Sequence, residues 1–255
     1  MPLALSSYDQ SYYRYFERGM ARSAEIVLPL VQSLLTVRSV ADFGCSAGVW
    51  LAVWERLGVD DLLGIDGESA GTSLQIARNR FLAADLAKPL RLGRRFDLVQ
   101  SLEVAEHLPA AAAPVFVETL VAHGSLILFS AAPPGQAGEH HVNEQSYEYW
   151  RDLFLQHGFV LLDALRPRLC ANPLVEPWYR FNTMLFAERS IVPKLGPAVL
   201  AHRLADDAPI IDYAPAWWRL AKLVLRNVPH EIITGASIAV RRCHGWWRRS
   251  AGGEP

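Results

Sequence analysis

Several things are scarce in this sequence of 255 residues, and each scarcity excludes a class of protein. Cysteine occurs three times, at Cys45, Cys170 and Cys243, an odd number at wide spacing. That excludes a disulfide framework and a zinc module, both of which need close or paired thiols. Lysine occurs only at Lys88, Lys194 and Lys222, and the net charge is -1. A general nucleic-acid binder carries a basic excess, so that class is set aside, although a local basic patch is not. There is no uninterrupted apolar run of about 18 residues, the length a membrane-spanning helix needs. The start, MPLALSSYDQ, has no basic residue ahead of a long apolar stretch, so no secretory signal is expected and a soluble cytoplasmic protein is. Internal repeats and low-complexity tracts are also missing.

What is present is core-forming material: 51% of residues are hydrophobic and 20% charged, enough for one generous domain or a domain with an appendage. Aromatic and aliphatic residues at helical spacing over Tyr8–Leu35 predict two helices, broken near Gly19. Short apolar runs then predict strands at Val37–Phe43, Leu62–Ile65, Phe81–Ala84, Phe96–Ser101 and Ser125–Ser130. Helical patterns alternate with them at Val49–Leu57, Ser69–Arg80, Pro109–His123 and Gln145–His157. Strands that are apolar throughout and alternate with helices predict a parallel sheet covered on both faces. Two last strands, Phe159–Leu165 and Asn182–Glu188, follow without a clear helix between them, which suggests an antiparallel hairpin at the sheet edge. The expected fold is α/β, a Rossmann-like doubly wound, mostly parallel sheet of seven strands with an antiparallel last strand. Residues 1–190 would form this domain, with helices in 1–36, and 191–255 a helical appendage rich in Trp, Arg and Pro.

The chemistry begins at Val40–Leu51, VADFGCSAGVWL. A strand ending in Asp42 runs through small residues into a helix, which lets backbone approach a ligand at the positive end of that helix. A dinucleotide site asks for G-x-G-x-x-G. Counted from Gly44, the second glycine is Ser46 and the third is Val49, so the fit is poor and a nicotinamide dehydrogenase is disfavoured. The shorter pattern of Gly44, Ser46 and Gly48 fits. Two further acids stand at strand ends: Asp66, followed by Gly67, where a carboxylate can accept ribose hydroxyls, and Asp85, followed by Leu86. Open α/β sheets bind ligands along that edge.

In this order, DFGCSAG, GID, AADL and FDLVQSLEVAEHL, the segments resemble class I S-adenosylmethionine-dependent methyltransferases, especially the subgroup that includes ubiquinone-biosynthesis O-methyltransferases. The resemblance covers about Val37 to Glu188, and its most specific piece is Phe96–Leu108. It implies S-adenosylmethionine as cofactor, with Asp42, Gly44, Ser46 and Gly48 near the methionine and ribose part. It implies Asp66 and Gly67 at the ribose, Asp85 and Leu86 at the adenine, and Ser101 and Leu102 at the sulfonium. Tyr12 or Tyr13 would cover the methionine moiety. Ser46 departs from the glycine often found there, but it is small enough to keep the turn.

Methyl transfer is an in-line displacement, and a hydroxyl acceptor must also lose its proton. Two candidate clusters leave the same sheet edge: Glu103, Glu106 and His107 after the fourth strand, and His140, His141, Asn143 and Glu144 after the fifth. Two mechanisms stay open. His107 or His141, with Glu103 nearby, acts as catalytic base; or Glu103, Glu106, His107 and His141 hold a divalent cation such as Mg²⁺, Mn²⁺, Fe²⁺ or Zn²⁺. The second set is similar to metal-dependent small-RNA 2′-O-methyltransferases, with the two acids and the histidine of E-x-x-E-H on one helical turn. HVNEQ with Tyr149-Trp150, and VEPWYRFN, resemble methyltransferases of natural-product and polysaccharide sugar genes, which places Asn143, Tyr179 and Arg180 around a polar acceptor. The expected partner is a small-molecule acceptor, and a homodimer stays open. The basic, Trp-rich stretch Pro215–Arg249 leaves membrane or lipid contact open. Competing readings are a nucleic-acid ribose methyltransferase and a cofactor-binding protein without catalysis.

Overall fold

The computed structural model of the protein describes residues 7–229 together with 232 and 235, with side chains from Glu17 onward. The chain order is α1 (Ser7–Leu34), β1 (Ser39–Phe43), α2 (Val49–Arg56), β2 (Asp61–Asp66), β3 (Phe81–Ala83), β4 (Leu98–Leu102), α3 (Ala113–His123), β5 (Leu126–Ser130), α4 (Tyr147–Gln156), β6 (Phe159–Leu162), α5 (Arg166–Leu169), α6 (Pro177–Asn182), β7 (Met184–Glu188), α7 (Pro197–Leu200) and α8 (Ala216–Leu225). The strands form one sheet in the order β3-β2-β1-β4-β5-β7-β6. Strands β1 to β5 pair in parallel, and β7 runs antiparallel to both β5 and β6. This is the doubly wound, mostly parallel seven-stranded sheet that the sequence predicts.

Alternation along each strand divides the core into two layers. Val40, Leu62, Leu98 and Leu128 face α1 and α2 with Trp54. Ala41, Phe43, Val99, Ile127 and Phe129 face α3 and α4 with Phe116, Trp150 and Phe154. Both faces are covered, which is why the central strands carry almost no polar residue. Gln100 and Ser101 are the exceptions on β4: both are fully buried, and Gln100 accepts a hydrogen bond from Trp54 Nε1 at 2.8 Å.

Four predicted elements take a different form. The N-terminal segment is one helix rather than two. Gly19 does not break it; a Cβ there would meet Glu176 Oε1 at 2.5 Å, so the glycine admits a close neighbour instead. Ser23 and Arg22 complete that contact, Ser23 Oγ accepting from Glu176 N and Arg22 donating to Glu176 Oε1, both at 2.9 Å. Ser69–Arg80 is not a helix but two 3-10 turns, Glu68–Thr72 and Arg78–Arg80. Long-range bonds hold the segment irregular, among them Gln75 N to Ala47 O at 2.7 Å. Pro109–His123 divides into a 3-10 turn, Ala110–Ala112, and α3. Finally, β6 and β7 pair antiparallel but are no hairpin. Helices α5 and α6 separate them, and β7 inserts between β5 and β6, leaving β6 at the edge.

Beyond residue 190 the chain returns along that edge. Asp163 N donates to His202 O at 2.9 Å and Leu204 N to Leu161 O at 3.1 Å. Among the described residues no helix is long and apolar enough to cross a membrane. Trp246, Trp247 and the arginines at 241, 242, 248 and 249 lie outside the described residues.

Candidate active site

The carboxyl ends of β1, β2 and β4 open on a cavity of about 830 Å³. Gly44, Ser46, Asp66, Gly67, Asp85 and Leu86 all line it. The turn after β1 carries three consecutive alternate residues in the left-handed region: Gly44 (φ 89°), Ser46 (φ 49°) and Gly48 (φ 80°). Only glycine takes such angles without strain. Gly44 has a second reason to be glycine: a Cβ would overlap both γ-methyls of Val104. Asp66 ties the turn to β2, accepting from Ser46 N at 2.7 Å and Gly67 N at 2.6 Å. Asp85 sits at the open rim and accepts from Ala87 N at 3.0 Å, with Lys88 Nζ at 3.0 Å. The hydrogen bond with Lys88 holds its pKa below the usual carboxylate range.

A second cavity, of about 440 Å³, adjoins the first. Gly44, Ser46, Glu103 and His107 line both. Its walls combine Trp50, Trp178, Tyr179, Met20 and Leu102 with Glu17, Asp42, Glu106, Gln136, Glu139 and His141. Asp42 is 3% exposed, and burial pushes its pKa up to about 7. Glu106 is completely buried, and neither carboxylate oxygen has a hydrogen-bond partner among the described residues. Burial, and then the Glu103 carboxylate beside it, raise its pKa well above the ordinary value. An unpartnered buried acid is costly.

The two clusters after β4 and β5 do meet. Val142 N and Asn143 N donate to Glu106 O at 2.9 and 3.0 Å, and Asn143 Nδ2 to Ala105 O at 3.2 Å. The rings of His107 and His141 lie edge to face, 4.8 Å apart. One ligand atom from each of Glu106, His107 and His141 falls within 4.8 Å of the others. Glu144 fixes the histidine loop: it accepts from Gly135 N at 2.7 Å and Ala137 N at 3.1 Å and holds His141 Nδ1 at 2.8 Å. That leaves Nε2 of His141 for other work. Ala137 (φ 66°) and His140 (φ 60°) are both left-handed without being glycine, the kind of strain that gathers at functional sites. His107 stands at the cavity mouth, open on one side. The protein mass around its ring, and then His141, push its pKa down to about 4, so it is neutral at neutral pH.

Not every expected residue falls where its role would place it. Glu103 precedes the 3-10 turn Ala105–His107 at φ 56°, so E-x-x-E-H is not one helical turn. Its oxygens accept from Gln136 Nε2 at 2.8 Å and Asn182 Nδ2 at 3.2 Å, and it stands outside the Glu106–His107–His141 group. Ser101 is fully buried and lines neither cavity; its neighbour Leu102 lines the second. Gly48 lines neither and starts α2. Tyr179 lines the second cavity, but Asn143 is buried against Ala105, and Arg180 Nη1 donates to Asn172 O at 3.1 Å. The side chains of Tyr12 and Tyr13 lie outside the described residues. Sequence reading passed over Gln136, Asn182, Trp50 and the orienting role of Glu144. Asn182 also accepts from Tyr147 OH at 2.9 Å, which locks the amide in place.

Solved structures share this architecture. DesVI of Streptomyces venezuelae superposes with a TM-score of 0.56 at 14% identity, covering 74% of this chain and 100% of its own. The chain has a methyltransferase fold. The sugar N-methyltransferase KedS8 of a Streptoalloteichus species gives 0.53 at 17% identity, over 74% of this chain and 96% of its own. Magnesium protoporphyrin IX methyltransferase of Synechocystis, solved with bound S-adenosylmethionine, gives 0.51 at 19%, over 72% and 85%. No family model matches the sequence, and no curated protein matches it. Within the methyltransferase fold, the first cavity lies outside the carboxyl ends of the strands, where open α/β sheets take their ligands.

Proposed function

We propose that the protein is an S-adenosylmethionine-dependent methyltransferase acting on a hydroxyl of a small molecule, a sugar or a tailored metabolite. The observation that carries this reading is the junction of the two cavities at Gly44, Ser46, Glu103 and His107. On this reading the first cavity takes the adenosine, with Asp66 at the ribose and Asp85 and Leu86 at the adenine. The methionine end passes the junction, where Asp42 and Leu102 meet it, and the acceptor enters the second cavity. EVAEHL supports placement near the ubiquinone-biosynthesis O-methyltransferases, and the likeness to a sugar N-methyltransferase supports a sugar-sized acceptor. Residues 1–190 would form the catalytic unit, and 191–255 the appendage.

Trp50, Trp178 and Tyr179 offer apolar faces to an acceptor ring, while Gln136 and Glu103 offer hydrogen bonds to its polar groups. Glu106, His107 and His141 suit a divalent cation: a buried carboxylate in need of a partner and two imidazoles, one oriented by Glu144. When bound, a cation there lowers the pKa of a coordinated hydroxyl. The chain's own part is to hold His107 neutral, so that it can bind a cation or receive the proton, and to align the acceptor with the sulfonium. The test is a thermal-shift comparison. S-adenosylhomocysteine should raise the melting temperature and NADH should leave it unchanged; stabilisation by NADH alone would reject the reading.

A further inference from the structure

The described residues of the appendage do not hide their apolar side chains. On α8, Trp217 is 71% exposed, Leu220 63% and Val224 61%. These positions are three and four apart, so they form one stripe along the helix. What anchors α8 is its other side. Trp218 meets Phe181 edge to face at 5.1 Å, and Lys222 is buried and paired with Asp212 at 2.7 Å. Gly135 lies so close that a Cβ on it would overlap the Lys222 carbonyl. The orientation is therefore fixed by packing, with a lysine turned inward and a tryptophan turned outward.

Leu223, 49% exposed, widens this apolar face, and the charges that flank it at i-4 and i+3 have one sign. Arg219 and Arg226, seven residues apart and so on one side of the helix, are exposed and make no ion pair among the described residues. The sequence of α8, AWWRLAKLVL, has no acid. In sequence the chain continues with Arg241, Arg242, Arg248 and Arg249 against Glu231 and Glu254. A second copy packed on this face by two-fold symmetry would bring arginines toward arginines with no acid to meet them. The chain's own basic end is equally ill matched to it.

We propose that this face of α8 docks the protein on an anionic lipid surface. An amphipathic helix with basic residues beside a Trp/Leu stripe lies in the plane of a membrane, the apolar side chains entering the headgroup boundary and the guanidinium groups meeting lipid phosphates. The end of the helix reaches the site. Residues Leu225–Pro229 enclose a cavity of about 380 Å³ together with Gly138 and His141, both of which also line the second cavity of the site. The carboxyl end of α8 thus adjoins the acceptor side of the site. Docking through α8 holds whether or not the chain transfers methyl groups.

The test is sedimentation of the full chain with vesicles of phosphatidylcholine alone or of an equal mixture with phosphatidylglycerol. Binding should be at least about tenfold tighter to the anionic vesicles and should weaken as salt is raised. The double variant Leu220→Glu, Val224→Glu should lose that binding while keeping its melting temperature; Trp217→Ser serves if the double variant fails to fold. Absence of binding at low salt, or equal binding to both vesicles, would overturn the proposal. So would retained binding by the folded double variant, since the chain's end would then carry it. A dimer in light scattering that either variant dissociates would assign the face to a second copy instead.

Discussion

The two cavities of the site are built in opposite ways. In the first, the polar groups already have partners: Asp66 takes two backbone N–H groups and Asp85 takes Ala87 N and Lys88. In the second, Glu103 has hydrogen-bond partners, but two other buried acids lie in unfavourable surroundings. The Glu106 carboxylate has no such partner among the described residues, and Asp42 is held up to about pKa 7. The first is a shaped surface that costs the fold little. The second stores unfavourable electrostatics that a bound cation, a sulfonium or an acceptor can relieve. On the proposed reading the difference separates where a cofactor is recognised from where charge is handled, and four variants bear on it in turn.

Gly44→Ala strikes the wall both cavities share and should have the largest effect. Its Cβ overlaps Val104 at a φ of 89°, and strain of this kind costs about 3 kcal/mol. The melting temperature should fall by roughly 6–12 °C in a thermal scan. Asp66→Ala should leave the fold in place but weaken S-adenosylhomocysteine binding by about 10- to 100-fold, the worth of charge-assisted hydrogen bonds, as read by calorimetry. Unchanged affinity would break the assignment of the first cavity. Glu144→Gln acts on the second through His141. By loosening His141 it should weaken Mn²⁺ binding by about tenfold with S-adenosylhomocysteine affinity unchanged. A loss of both would show that the cavities do not act separately.

Asp42→Asn should have the smallest effect, and its sign is informative. The folded protein holds the Asp42 proton more tightly than the unfolded chain does, because burial raises its pKa from 3.8 to about 7. Its contribution is fully present below about pH 4 and is lost as pH rises through 7. The variant should therefore gain melting temperature, relative to the natural chain, at pH 8 and not at pH 4. A gain at both would mean that Asp42 is not the strained acid.

The same contrast explains what the sequence made legible. The first cavity is local in sequence: DFGCSAG, Asp66 and Asp85 each end a strand, and strand ends in a parallel sheet share an edge. Strand periodicity gave the sheet for the same reason. The second cavity is assembled over distance. Glu103 meets Gln136 and Asn182, 33 and 79 residues away, and nothing in PPGQAG or WYRFN announces that encounter. The meeting of Glu106 with the His141 segment followed from both leaving one edge, but the exclusion of Glu103 from that group depends on a backbone angle no spacing reveals. Ser69–Arg80 failed as a helix because its partners are long-range: Gln75 bonds to Ala47, and Ile76 packs under Gly48.

One measurement tests the account most directly: a crystal structure of the natural chain soaked with S-adenosylhomocysteine and Mn²⁺. The account predicts adenosine beside Asp66 and Asp85, the methionine end passing Glu103 and His107, and a metal peak among Glu106, His107 and His141. Ligand bound elsewhere, or an empty first cavity at saturating S-adenosylhomocysteine, would contradict it.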